Sequence, residues 1–179
     1  FVLMPESALA YLPRIGSVEE RNLHYYAPLL RDIQGESHPD TKLITGASTT
    51  VRYGDTKATD TAHYYEGYGW YEQYNSALLI NSNGETENIY HKGKLVIGVE
   101  AVPMKNLFDT FEVDLGGVSG QLGWGKEHTL FSNDCVMIGP AICYEGLYGG
   151  YFLGFARQGA EVMALISNDG WWGNTPGHK

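Results

Sequence analysis

Cys143 ends a run of mostly apolar residues, Cys135 to Ile142, that only Gly139 and Pro140 interrupt. Such a run reads as a buried strand arriving at a turn. A thiol there is held by a rigid element, and the first amides of a following helix favour its thiolate. The same position also suits a small buried hydrophobe, the usual fate of a free cysteine. Three other strand ends carry polar groups: Glu6 after Phe1–Met4 and Pro5, Lys92 after the stretch through Tyr90, and Asn168-Asp169 after Val162–Ile166. Strand ends are the usual address of functional groups in α/β folds. A carboxylate, an ammonium and a thiol form a coherent set for acyl transfer. The carboxylate takes the thiol proton, the thiolate attacks a carbonyl, and the ammonium stabilises the developing oxyanion. Each group also has a plain reading: Glu6 and Lys92 as surface charges, Glu145 as the cap of the helix it begins. No histidine lies near Cys143 in a papain-like arrangement.

The elements that must position these groups alternate between strands and helices. Ser17 and Glu20 form a capping box, and Leu23, Tyr26, Ala27 and Leu30 continue an apolar stripe to about Gln34, with His24 and Arg31 on the solvated face. Lys42–Ser48 reads as a strand, and residues 52–69 as a long polar loop in which His63, Tyr64, Tyr65 and Tyr68 either line a binding surface or simply face solvent. Tyr74–Asn81 and Glu87–Tyr90 flank Asn83-Gly84, a strong hairpin signal. A short helical piece is expected near Leu107-Phe108, a hairpin around Asn133-Asp134, a helix from Glu145 to Gln158 on the apolar period of Leu147, Tyr151, Phe152 and Phe155, and a buried strand at Val162–Ile166. Cys135 reads as core. The pattern is that of an α/β protein with a mixed sheet.

The chain has 179 residues, enough for one domain with a sizeable core. Its net charge of -9 gives no general attraction to nucleic acid or anionic membranes. Two cysteines do not make a disulfide framework. No phosphate-binding glycine loop, spaced metal-ligand set, signal peptide or apolar span is visible. Phe1 already lies inside an apolar strand and Lys179 follows no terminating signal, so the sequence reads as an excerpt of a longer protein.

Four motifs then become recognisable. Pro5-Glu6, Tyr90-x-Lys92-x-x-Leu95-Val96 with Glu100 after it, and Ile142-Cys143-Tyr144-Glu145 resemble, in order and spacing, the Glu-Lys-Cys motifs of the nitrilase (carbon-nitrogen hydrolase) superfamily. Ser167–Gly173 resembles the asparagine-aspartate-x-tryptophan-aromatic-glycine motif of apolipoprotein N-acyltransferases. Ile97 stands where many members have proline. The resemblance implies a nitrilase-like α-β-β-α sandwich with mixed sheets, here incomplete. Residues 1–179 would be one catalytic domain, truncated at both ends and without the parent's membrane helices. It implies Glu6 as general base, Lys92 as oxyanion donor and Cys143 as nucleophile, with Glu100, Tyr144 and Glu145 supporting, and neither cofactor nor metal. The implied partners are a phospholipid acyl donor, a diacylglyceryl apolipoprotein acceptor and the membrane, with no nucleic acid. The implied location is the bacterial inner membrane, catalytic domain on the periplasmic side. A soluble nitrilase-type amidase with the same triad is the alternative enzyme. A binding domain that keeps the fold is the alternative of another class, which the intact Glu, Lys and Cys set argues against.

Overall fold

The computed structural model describes residues 1–9, 28, 31–32, 40–97, 99–101, 121–133 and 135–168. The expected Ser17–Gln34 helix lies mostly outside them, though residues 28, 31 and 32 are helical and exposed. The Leu107-Phe108 piece, Asp134 and the Asp169–Gly173 part of the last motif also lie outside.

Two sheets form the body. The first holds β1 (Val2–Leu3), β2 (Leu43–Gly54), β3 (His63–Tyr65), β4 (Gly69–Ile80) and β5 (Thr86–His91). β1 runs parallel to β2, β2 pairs antiparallel with β4, and β3 and β5 share the other edge of β4. The second holds β6 (Phe131–Ser132), β7 (Met137–Ile142) and β8 (Val162–Ile166), with β7 and β8 parallel. Between β7 and β8 the chain makes a 3-10 turn, Cys143–Leu147, and a helix α1, Gly149–Arg157.

Period-two alternation along β4 explains how the layers assemble. Ala77 and Leu79 join Tyr90 of β5, Ile138 and Ile142 of β7, Ala164 and Ile166 of β8, and Phe155 of α1 in one buried cluster. The intervening Leu78 and Ile80 face the other way, against Val2, Met4, Leu9 and Ala47. The first sheet is therefore apolar on both faces here, which is why Ala77-Leu78-Leu79-Ile80 reads as a continuous apolar run. A Cβ added to Gly139 of β7 would lie 2.8 Å from the Phe155 Cβ, so glycine lets α1 seat closely.

Several expectations need correction. Residues 52–69 are not one loop: they complete β2, form β3 and begin β4. Their threonines and tyrosines favour a pleated surface, and paired strands tolerate the polar outward face that made the segment look irregular. No single helix begins at Glu145. The tight turn carrying Cys143 ends first, and Leu147, expected on an apolar stripe, is 75 % exposed. Cys135 is exposed in the turn before β7, its N–H bonded to Asn133, and is not core. β8 is buried only at Ala164 and Ile166, with Val162 and Leu165 exposed. Among the described residues no helix is long and apolar enough to cross a membrane.

Candidate active site

The site forms where the ends of the first sheet meet the turn leaving β7. Glu6 sits in the turn after β1, where Ser7 has a φ of 59°. That turn presses against β2: a Cβ on Gly46 would come within 2.5 Å of the Ser7 nitrogen and 2.6 Å of the Glu6 Cα. Glycine at 46 is thus a condition for Glu6's position. Lys92 is the first residue after β5, and its N–H still bonds the Asn75 carbonyl at 2.8 Å, which continues the β4–β5 ladder by one step. Glu100 belongs to a compact turn in which its N–H bonds the Val96 carbonyl and its Oε2 accepts from the Val96 N–H.

These groups converge. Lys92 Nζ donates to Glu100 Oε1 at 2.9 Å and to Glu6 Oε1 at 3.3 Å. Lys92 is 1 % exposed, Glu100 5 % and Glu6 8 %, so an isolated charge among them would be very costly and the pairing is a condition of the fold. Burial works against the Lys92 ammonium, but the two carboxylates outweigh it and raise the lysine above its ordinary pKa. Its charge is secure at neutral pH.

Sequence reading missed a fourth member. Asn75 of β4, 4 % exposed, donates through Nδ2 to Glu6 Oε1 at 2.7 Å and Glu100 Oε1 at 2.8 Å. In sequence it is one polar residue inside a strand. The only signal was its phase: Asn75 shares the core-facing parity of Ala77 and Leu79, so a polar residue there requires partners.

Cys143 is half-buried on a backbone with φ of 50°, unusual for a non-glycine residue. This bend turns the side chain out of β7 toward Glu6 and Lys92. Burial is the main cause that raises the thiol's pKa, and the Glu6 charge adds to it; Lys92 and a hydrogen bond with Ser167 act in the opposite sense. Whatever the following amides do to favour the thiolate, the balance of burial and charge here runs the other way. The turn is five residues of 3-10 helix, and burial with the Glu6 contact holds the thiol above its ordinary pKa. Ser167 and Asn168 bring the end of β8 to the same place, with the Asn168 N–H 3.3 Å from Glu6 Oε2.

Glu145 lies behind the thiol, fully buried. Its Oε2 accepts from the Ile142 N–H at 2.8 Å, while its Oε1 accepts from Tyr90 Oη at 2.7 Å and from the N–H groups of Gly93 and Lys94 at 2.7 and 3.0 Å. One carboxylate thus ties the Lys92 loop to the Cys143 turn. Tyr144 is exposed and packs edge-on against Tyr148 at 5.3 Å. A separate cavity of about 670 Å³ lies on the opposite face of the first sheet, lined by Tyr53, Glu72, Tyr74, His91 and Trp124 among others. It does not include the thiol, lysine or carboxylates described above.

This arrangement can deprotonate a thiol and stabilise an oxyanion, and comparison with known proteins places it in a lineage. Residues 2–179 match the carbon-nitrogen hydrolase family. The chain belongs to that family. Its relatives include the apolipoprotein N-acyltransferase of Chlorobaculum tepidum, 29 % identical over 98 % of this chain and 33 % of that protein. The enzyme of the same name from Bdellovibrio bacteriovorus is 30 % identical over 82 % of this chain and 25 % of its own length. The chain thus spans between a quarter and a third of these relatives. An amidase from Nesterenkonia sp. superposes with a TM-score of 0.50 at 15 % identity, over 92 % of this chain and 50 % of that one. That likeness concerns the fold, a mixed α/β arrangement of the nitrilase superfamily.

Proposed function

We propose that this chain is part of the catalytic domain of an apolipoprotein N-acyltransferase. The observation that carries the reading is the meeting of a buried carboxylate and a buried ammonium at the Cys143 thiol. The relatives, all of that name among the similar proteins cited above, favour an amine acceptor over water. Glu6 takes the proton as sulfur attacks the ester carbonyl of a phospholipid, and the oxyanion develops beside Lys92. The lysophospholipid oxygen leaves with the proton that Glu6 held, and a thioester remains on Cys143. The α-amine of a diacylglyceryl-cysteine then attacks that thioester, Glu6 receives the amine proton, and the proton returns to sulfur as the amide departs. Glu100 holds Lys92 together with Glu6, Glu145 fixes the two loops together, and Tyr144 stands at the exposed rim. The thioester has to outlast contact with water, which calls for water exclusion around Cys143 once lipid is bound.

On this reading the parent chain carries membrane helices, and residues 1–179 face the periplasm. The test is intact mass of the parent protein after incubation with phospholipid, with Cys143→Ala alongside. The expected result is an acyl-sized adduct on the unsubstituted protein alone, discharged by a lipopeptide amine. Ammonia released from small amides with no adduct would replace the transferase with an amidase, and an adduct retained in Cys143→Ala would remove Cys143 as nucleophile.

A further inference from the structure

We propose that Asn75 is the positioning residue that decides which oxygen of Glu6 receives the thiol proton. The inference rests on the acyl-transfer reading only in taking Glu6 as the base. Two donors, Asn75 Nδ2 and Lys92 Nζ, face two acceptors, Glu6 Oε1 and Glu100 Oε1, and each donor bonds both acceptors. Glu6 Oε1 is therefore occupied from two directions inside a buried cluster. Among the described residues Glu6 Oε2 accepts one backbone N–H, that of Asn168 at 3.3 Å, and a carboxylate oxygen can accept more than one hydrogen bond. A proton leaving sulfur goes to Oε2, while Oε1 keeps both of its hydrogen bonds in either protonation state of Glu6. Base and conjugate acid then differ by one proton and no rearrangement.

Lysine alone could not do this. The cluster holds two carboxylates against one ammonium, and a second cation would lower the basicity of Glu6. Asn75 supplies two donors without a charge and has no proton to exchange in the working range. Its amide also disperses negative charge that would otherwise act on the sulfur. Among the described residues the titratable groups around Cys143 are Glu6 after β1, Lys92 and Glu100 after β5, and Glu145 with Tyr144 on its own turn; Tyr90 faces Glu145.

The experiment measures the pH dependence of Cys143 alkylation by iodoacetamide in the detergent-solubilised parent protein, read by mass spectrometry of the Cys143 peptide so that exposed Cys135 does not contribute. Asn75→Asp, nearly the same shape, exchanges the donors for a third carboxylate. Its alkylation midpoint should rise by a unit or more, which is about a tenfold loss of rate at neutral pH. Asn75→Ser keeps one donor and should shift the midpoint in the same direction by less, and it decides the matter if Asn75→Asp does not fold. An unmoved midpoint in a folded variant overturns the proposal, because loss of packing alone does not move a titration. The readout needs no acyl donor. A shifted midpoint in a protein that forms no acyl adduct would leave Asn75's role standing and remove the acyltransferase reading.

Discussion

Replacing Lys92 by methionine retains most of the side chain's length and removes the charge that Glu6 and Glu100 share. Two buried carboxylates would then face each other with only Asn75 between them. Removing one partner of a buried ion pair usually costs about 3–5 kcal/mol, and Lys92→Met is expected to fall in that range by denaturant unfolding at neutral pH. The pH dependence has a definite sign. The lysine's folded pKa lies above its ordinary 10.5, so its contribution is fully present below that value and is lost as pH rises through the folded value. The unsubstituted protein should therefore lose this increment only in strongly alkaline solution, and Lys92→Met should lack that alkaline step. Equal stability of the two proteins at pH 7 would mean that the ammonium is not what makes the carboxylate pair tolerable.

Single elements set where these residues stand, and Gly46 gives a test remote from the chemistry. Gly46→Ala forces the turn after β1 outward, since its Cβ would lie 2.6 Å from the Glu6 Cα. Overpacking of this kind costs about 1–3 kcal/mol. The expected signature is that loss together with faster alkylation of Cys143 at neutral pH, since Glu6 holds the thiol's pKa up; a lower Tm with unchanged alkylation would show that the turn yields without moving Glu6. In the sequence, Gly46 is one more glycine in a strand, whereas Glu6, Lys92 and Cys143 were legible because strand ends and short motifs are local signals. What eluded sequence reading was set by contacts between distant segments. The core-facing phase of Asn75 depends on which sheet covers β4. The strands within 52–69 take their order from pairing with β4 and β2, which supplies hydrogen bonds that local composition does not reveal. Helical spacing places Leu147 inward and apolar character places Cys135 inward, yet both lie in turns and face solvent, while Glu145 is the residue that the Cys143–Leu147 turn buries.

At the scale of the molecule, the site is an interface between layers. Glu6, Asn75, Lys92 and Glu100 come from the first sheet and its loops, while Cys143, Ser167 and Asn168 come from the second. Glu145 spans the two, binding N–H groups of the Lys92 loop and of Ile142. The cluster that joins the sheets draws on both, so neither sheet buries its inner face without the other. Cooperative opening follows from this shared core. Hydrogen exchange followed by mass spectrometry should find the amides of residues 77–80 in β4 and 141–142 in β7 exchanging last and together. The two-residue β6 and the exposed Tyr64 and Tyr65 of β3 should exchange first. If β7 opened well before β4, the second sheet would be an independent unit, and the thiol would leave the carboxylates in every such opening. Concerted exchange would instead mean that the base and the nucleophile are held together for as long as the core is.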